Sequence, residues 1–384
     1  MLKFHLLLCF ALALSSVMAV ADSPLPTPTL RSVFKDHFLI GAALNTSMVN
    51  GRNAKAGEIA ARQFTSLTAE NDMKWQSLHP APGRYQFDSA DAYANFGKMH
   101  GMAVIGHTLV WHSQTPDWVF KGKDGGPAMR EELLGRTRDH IHTVVGRYKG
   151  QIKGWDVVNE AISDSDAEVL RDSPWRRILG DDFLDHAYRF AHEADPDAEL
   201  YYNDYGLENR RKRDRAIQML KGLIGRGVPI TAVGLQGHYS LKWPVIDELE
   251  QAIKDFSALG LKVMITELDV DVLPSRGAVG VADVSRREAV DPALNPYVDG
   301  LPDDVGQQLA KRYATLFEVF LRHQKDIRRV TFWGLEDGQS WLNHFPIHGR
   351  TNYPLLFNRD LLPKPAFFEV LKIGQLGASA VQVR

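Results

Sequence analysis

The sequence predicts a parallel (β/α)8 barrel, and three observations carry that expectation. Short apolar, β-branched runs recur eight times, each followed by a longer amphipathic stretch. After the N-terminal region no Ser/Thr/Pro-rich linker divides the chain, and no internal repeat is present. No run leads into a phosphate-type glycine loop, which deprives an open doubly wound sheet of its usual signature.

The runs follow in order. FLIGAALN (38–45) and FTSLTAEN (64–71) come first, then MAVIGHTLVW (102–111) and IKGWDVVNE (152–160). AELYYNDY (198–205), ITAVGLQGHY (230–239), KVMITELDV (262–270) and RRVTFWGLED (328–337) complete the set. Helices are expected between them, including 131–149 and 304–325. A further helical segment, 173–194, opens with Ser173 as N-cap and Pro174 at its first position. It stops at Asp195-Pro196, because a residue that precedes proline resists helical geometry.

Ahead of these runs, MLKFHLLLCFALALSSVMAVADSP has Lys3, an apolar stretch and then Ala19-Val20-Ala21 in an A-x-A arrangement. That is the pattern of a secretory signal peptide at 1–21, with cleavage after Ala19 nearly as well supported. Its apolar part is short for a membrane span, and no later segment has a spanning run. Residues 22–384 are therefore expected to form one secreted catalytic domain, extracellular or periplasmic, soluble and monomeric, without a separate binding module. SPLPTPT (23–29) reads as an extended lead-in. The only cysteine, Cys9, lies inside the signal, which excludes disulfides, thiolate nucleophiles and cysteine-bound metals from the mature chain. With 384 residues, the core suffices without cross-links. A formal net charge of −2 supplies no electrostatic attraction to nucleic acid or an anionic membrane.

Nearly every apolar run turns polar at its C-terminal end. Glu70-Asn71, His107, Asn159-Glu160, Asn203-Asp204, Gln236, His238, Glu267, Asp269, Trp333 and Glu336 all lie at such ends. One polar strand end is ordinary solvent exposure, and a lone strand-terminal acid is more often a cap or surface charge. The same switch on strand after strand marks the face where barrels build active sites. Glu160 and Glu267 fall on the fourth and seventh runs, which face each other across a closed barrel. Paired glutamates fit glycoside hydrolysis, which needs an acid for the leaving oxygen and a carboxylate on the other side of the anomeric carbon. Asn159 is placed to hydrogen-bond a sugar 2-hydroxyl. His238 and Asp269 are placed to orient one acid and keep it charged. Trp111, Trp333 and Trp341 near strand ends offer flat apolar faces to sugar rings, whereas Trp75, Trp118 and Trp155 read equally well as packing.

Six blocks together resemble glycoside hydrolase family 10, the retaining endo-β-1,4-xylanases on a (β/α)8 barrel. They are LTAENDMKW (67–75), GHTLVWHSQTPDW (106–118), WDVVNE (155–160), GLQGHY (234–239), ITELDV (265–270) and WGLEDGQSW (333–341). The resemblance runs from about residue 39 to 372. It implies Glu160 as acid/base and Glu267 as nucleophile, with Asn159, His238 and Asp269 in support. It further implies that Glu70, Asn71 and Lys74 meet the next sugar on the glycone side. His107, Trp111, Gln236, Trp333 and Trp341 would form the inner wall. Xylan and xylo-oligosaccharides are the implied partners, no cofactor is needed, and no metal site is expected. Two departures stand out: Gly206 occupies a position where the family often has Asn, and residues 273–304 form a long loop after the nucleophile run. Aglycone binding and any structural calcium on that loop stay open.

Other motifs have plainer readings. Lys74 would be a surface lysine were it not beside Glu70-Asn71. His140 and His142 are expected on different faces of one helix, solvated, rather than as metal ligands with His107 and His112. RRKRDR (210–215) is expected to be a solvated helix face. A non-catalytic polysaccharide-binding barrel would keep the tryptophans but has no use for both glutamates. Within enzymes, cellulose or a mixed-linkage glucan is the alternative substrate.

Overall fold

A computed structural model describes residues 28–275 and 291–382. The expected signal peptide with Cys9, and residues 276–290 of the long loop, lie outside the described residues. All eight apolar runs are strands: β1 Leu39–Leu44, β2 Ser66–Ala69, β3 Ala103–Trp111, β4 Ile152–Asn159, β5 Glu199–Asp204, β6 Ala232–Leu235, β7 Lys262–Asp271 and β8 Ile327–Phe332. Each pairs in parallel with its sequence neighbours, and β1 pairs β8 through Gly41–Thr331 and Ala42–Phe332, so the sheet closes. This is the expected (β/α)8 barrel. An additional short strand, His238–Ser240, pairs with the end of β7 and sets His238 opposite Asp269.

The helices bury one stripe against the strands. In Ile246–Ser257 the buried residues are Leu249, Ala252, Ile253 and Phe256, a spacing of three and four that keeps them on one face. The predicted helices at 131–149 and 304–325 are observed as Arg130–Arg147 and Asp303–Arg322. Ser173 does cap the next one, accepting from Arg176 N at 3.3 Å. That segment is not continuous, however. It forms Pro174–Leu179 and then Phe183–Ala194, divided at Gly180, whose φ of +77° only glycine adopts without strain.

Two expectations about charged helix faces are corrected. Lys212 and Arg213 of RRKRDR are buried, while Arg210 and Arg211 are exposed. Lys212 Nζ lies 2.9 Å from Asp204 and 3.3 Å from Asp164, and Arg213 Nε lies 2.8 Å from Asp255. The acids at the end of β5 and on neighbouring elements draw these two residues inward. His142 is partly exposed and meets Glu193, as a solvated histidine would, but His140 is fully buried.

The buried His140 stacks on Trp75 with centroids 3.7 Å apart, and its Nδ1 lies 3.4 Å from His79 Nδ1. Burial pushes His140 well below the usual histidine value, with the neighbouring His79 adding to the effect, and burial also lowers His79. Both are thus neutral in the fold and regain protons when it opens. The sign follows: their stabilisation is complete above the unfolded value of about 6.5 and is lost as pH falls below it. The melting temperature is expected to fall from pH 7.5 to 5, and His140→Phe is expected to flatten that fall. An unchanged slope in the variant would place the acid lability elsewhere.

Candidate active site

The cleft at the C-terminal end of the barrel has a volume of about 360 Å³. Twelve of the thirteen candidate residues line it: Glu70, Asn71, Lys74, His107, Trp111, Asn159, Glu160, Gln236, His238, Glu267, Trp333 and Trp341. The thirteenth, Asp269, is wholly buried behind His238. It reaches the cleft only through the side chains that contact it, His238 and Trp341.

Glu160 follows the last residue of β4 with φ +57°, a left-handed backbone that costs a non-glycine residue about 1 kcal/mol or more. Two backbone contacts hold it there. Its N–H donates to Asn203 O at 2.9 Å, its carbonyl accepts from Arg171 Nε at 2.9 Å, and the turn aims its carboxylate into the cleft. The carboxylate accepts from Trp111 Nε1 and Gln236 Nε2, each at 2.8 Å. Both donors are neutral.

Glu267 sits in a different environment. Its Oε1 accepts from Asn203 Nδ2 at 2.7 Å and its Oε2 lies 3.1 Å from His238 Nε2. The other ring nitrogen of His238 lies 3.1 Å from Asp269, which also accepts from Trp341 Nε1 at 2.8 Å. Burial opposes a charge on His238, but Asp269 and Glu267 outweigh it and push the imidazole up to about 10. Burial likewise raises Glu267. The His238 hydrogen bond, electrostatic attraction to the neighbouring imidazoles of His107 and His238, and the Asn203 hydrogen bond more than cancel it, holding the carboxyl below its usual value. An imidazolium between two carboxylates therefore keeps Glu267 ionised.

At the β2 end, Lys74 is buried along its whole length rather than only at its stem. Its Nζ donates to Asn71 Oδ1 at 2.9 Å and Gln114 Oε1 at 2.8 Å, and stands 5.0 Å from the centroid of Trp111. Burial lowers Lys74 and raises Glu70, each partly offset by the other's charge. The opposite wall is held by Asp337, after β8. It is buried with Lys364, whose Nζ donates to Asp337 at 2.9 Å and to two backbone carbonyls at 2.7 and 2.8 Å. That pair fixes the turn that presents Trp341.

The arrangement supplies one carboxyl with neutral donors, one carboxylate held ionised, a lysine with amides, and tryptophans facing the same space. It matches known proteins over nearly its whole length. The model of the family described as Glycosyl hydrolase family 10 matches residues 29–373. The chain belongs to glycosyl hydrolase family 10. It is therefore a glycoside hydrolase. An endo-1,4-beta-xylanase A from Xylanibacter ruminicola is 42% identical over 95% of this chain and 98% of its own length. A thermostable celloxylanase from Thermoclostridium stercorarium is 39% identical, covering 91% of this chain and 88% of itself. The solved structure of a family 10 endoxylanase retrieved from sugarcane soil metagenome superimposes with a TM-score of 0.86. It shares 44% identity, over 90% of this chain and 99% of that one.

The family 10 cleft also contains residues that sequence reasoning did not place there. Gln114, Tyr205, Trp243, His344 and Phe345 line it from loops and Gln339 from a single 3-10 turn, where periodicity carries no signal. Asn203 was visible as a polar strand end, but its contact with Glu267 spans 64 residues and its Oδ1 accepts from Thr266 at 2.6 Å. Gly234 leaves room for both side chains: a Cβ there would lie 2.5 Å from Asn203 Oδ1 and 2.6 Å from Thr266.

Proposed function

We propose that this glycoside hydrolase is a secreted endo-1,4-β-xylanase that cleaves internal xylosidic bonds of xylan and xylo-oligosaccharides with net retention. The observation that carries the reading is the asymmetry of the two glutamates. Glu267, clamped by His238, attacks the anomeric carbon, and Glu160 gives its proton to the departing oxygen. The glycosyl-enzyme ester is then opened by water, whose proton returns to Glu160 as Glu267 leaves. Asn159 bonds the 2-hydroxyl of the sugar on Glu267, Glu70, Asn71 and Lys74 grip the next sugar, and the tryptophans stack on ring faces. Xylan as substrate is supported by the names of the relatives, and secretion by residues 1–21 alone.

A second reading, action on a β-1,4-glucan, is favoured by the celloxylanase among the relatives. Reducing-sugar release from xylan and from carboxymethyl-cellulose separates the two. Xylan is expected to be the better substrate, and preference for the cellulose derivative would replace the first reading with the second. An NMR time course is expected to show the β-anomer first. The α-anomer first would sink the retaining mechanism.

Arg171 is the positioning residue this mechanism requires. Besides the Glu160 carbonyl it donates to Ile162 O at 3.0 Å, Tyr205 Oη at 3.0 Å and Asp164 at 2.9 Å. It thereby ties the left-handed turn to β5. Arg171→Met is expected to lower kcat about 10-fold, with KM nearly unchanged, because the acid is misplaced rather than the sugar released. A rise in KM alone would mean that Arg171 serves binding through Tyr205 instead.

A further inference from the structure

A second cavity of about 360 Å³ opens at the opposite, N-terminal end of the barrel. Lys35, Phe38, Lys153, Glu199, Tyr201 and Arg329 are among its lining residues. Inside the barrel, this layer is filled by the buried cluster Ile105, Tyr201, Ala232 and Met264. Arg329 of β8 projects into that layer and is only 2% exposed.

A guanidinium so deeply buried ordinarily faces a carboxylate, because a desolvated charge without a counter-charge is costly. Arg329 has none. Its Nη1 donates to Thr331 Oγ1 at 2.7 Å, its Nη2 meets the Met264 thioether at 3.6 Å, and its Nε has no hydrogen-bond partner. The guanidinium lies 5.9 Å from the Tyr201 ring centroid, a weaker compensation than a carboxylate. Among the described residues no carboxylate lies within ion-pair distance of it. The acids of the cavity are already engaged. Glu199 takes Lys153 at 2.8 Å and the Tyr201 hydroxyl at 2.7 Å, and Asp36 takes Lys35 at 3.8 Å. Arg328 on the rim is likewise without an ion-pair partner among the described residues, so the cavity carries an uncompensated positive charge.

We infer that this cavity is a binding site for a small oxyanion, a carboxylate or a phosphate, recognised by Arg329. A guanidinium edge offers parallel N–H donors that two oxygens of one anion accept together. A thioether is a poor acceptor and leaves that edge available at Nη2. The volume of about 360 Å³ limits the occupant to a small molecule, and the apolar Phe38 and Met264 beside the guanidinium lower the local polarity and so strengthen the charge interaction.

The test is thermal unfolding of the full chain at constant ionic strength, with sodium phosphate or sodium acetate replacing chloride. A saturable rise of about 2 °C or more is expected with at least one of them. Phosphate alone or acetate alone would assign the tetrahedral or the planar anion. The rise is expected to vanish in Arg329→Met, which keeps the bulk, and to persist in Glu267→Gln at the other end of the barrel. Titration calorimetry of the wild-type protein reads the same binding even where Arg329→Met does not fold. A rise linear in anion and equal in both variants would be general anion exclusion from the surface. That result, or a titration without saturable heat in either anion, overturns the site.

Discussion

Glu267→Ala is expected to lose xylan hydrolysis by on the order of 10⁵–10⁶-fold, and activated leaving groups are expected to leave it inactive. Without the carboxylate no glycosyl-enzyme forms, however readily the aglycone departs. Glu160→Ala is expected to fail differently. On xylan, whose leaving group is a sugar alkoxide, the loss of protonation costs roughly 10²–10⁴-fold. On an aryl xylobioside the aryl group leaves unaided, so a burst of phenol followed by slow turnover is expected. Azide needs no general base and is expected to restore that turnover in Glu160→Ala only, with a glycosyl azide as product. The alkaline limb of the wild-type pH profile is also expected to flatten in this variant, since the limb reports loss of the acid's proton. Measuring both variants on both substrates, with and without azide, decides the roles. A phenol burst in Glu267→Ala and none in Glu160→Ala would reverse them.

That the roles can be assigned at all depends on how much of the site is local in sequence. The strands were legible because eight apolar runs end in polar residues, and the barrel converts those ends into one cleft. Glu160, Glu267 and eight other candidates are such ends, whereas Trp111 and Trp341 were aromatics near them and Lys74 came from the resemblance of the block LTAENDMKW. What was not legible depends on contacts between distant segments. His140 sits on a helix whose polar and apolar faces both accept a histidine; only the stacked Trp75, 65 positions earlier, explains its burial. Lys212 and Arg213 look like a surface charge run until Asp204, Asp164 and Asp255 are brought beside them. The break at Gly180 was local and visible, but a single glycine inside a helical pattern does not by itself announce φ +77°.

His238 is the residue on which the ionised state of Glu267 rests, and His238→Gln separates its charge from its shape. Glutamine can still donate to Glu267, but no cation then stands between Glu267 and the buried Asp269. Burial is left less opposed, so Glu267 is expected to rise and the acid limb of kcat/KM to move to higher pH. A loss in kcat on the order of 10²-fold is expected, the scale for removing one preorganised electrostatic contact. Stability gives an independent check with its own sign. The folded imidazole titrates at about 10, above an unfolded value of about 6.5. Its contribution is therefore complete below the unfolded value and is lost as pH rises through the folded one. The wild-type advantage in melting temperature over His238→Gln is expected to shrink steadily between those two values. A constant advantage across that window, with an unmoved acid limb, would show that His238 acts by packing and hydrogen bonding alone. Glu267 would then owe its charge to His107 and Asn203 instead.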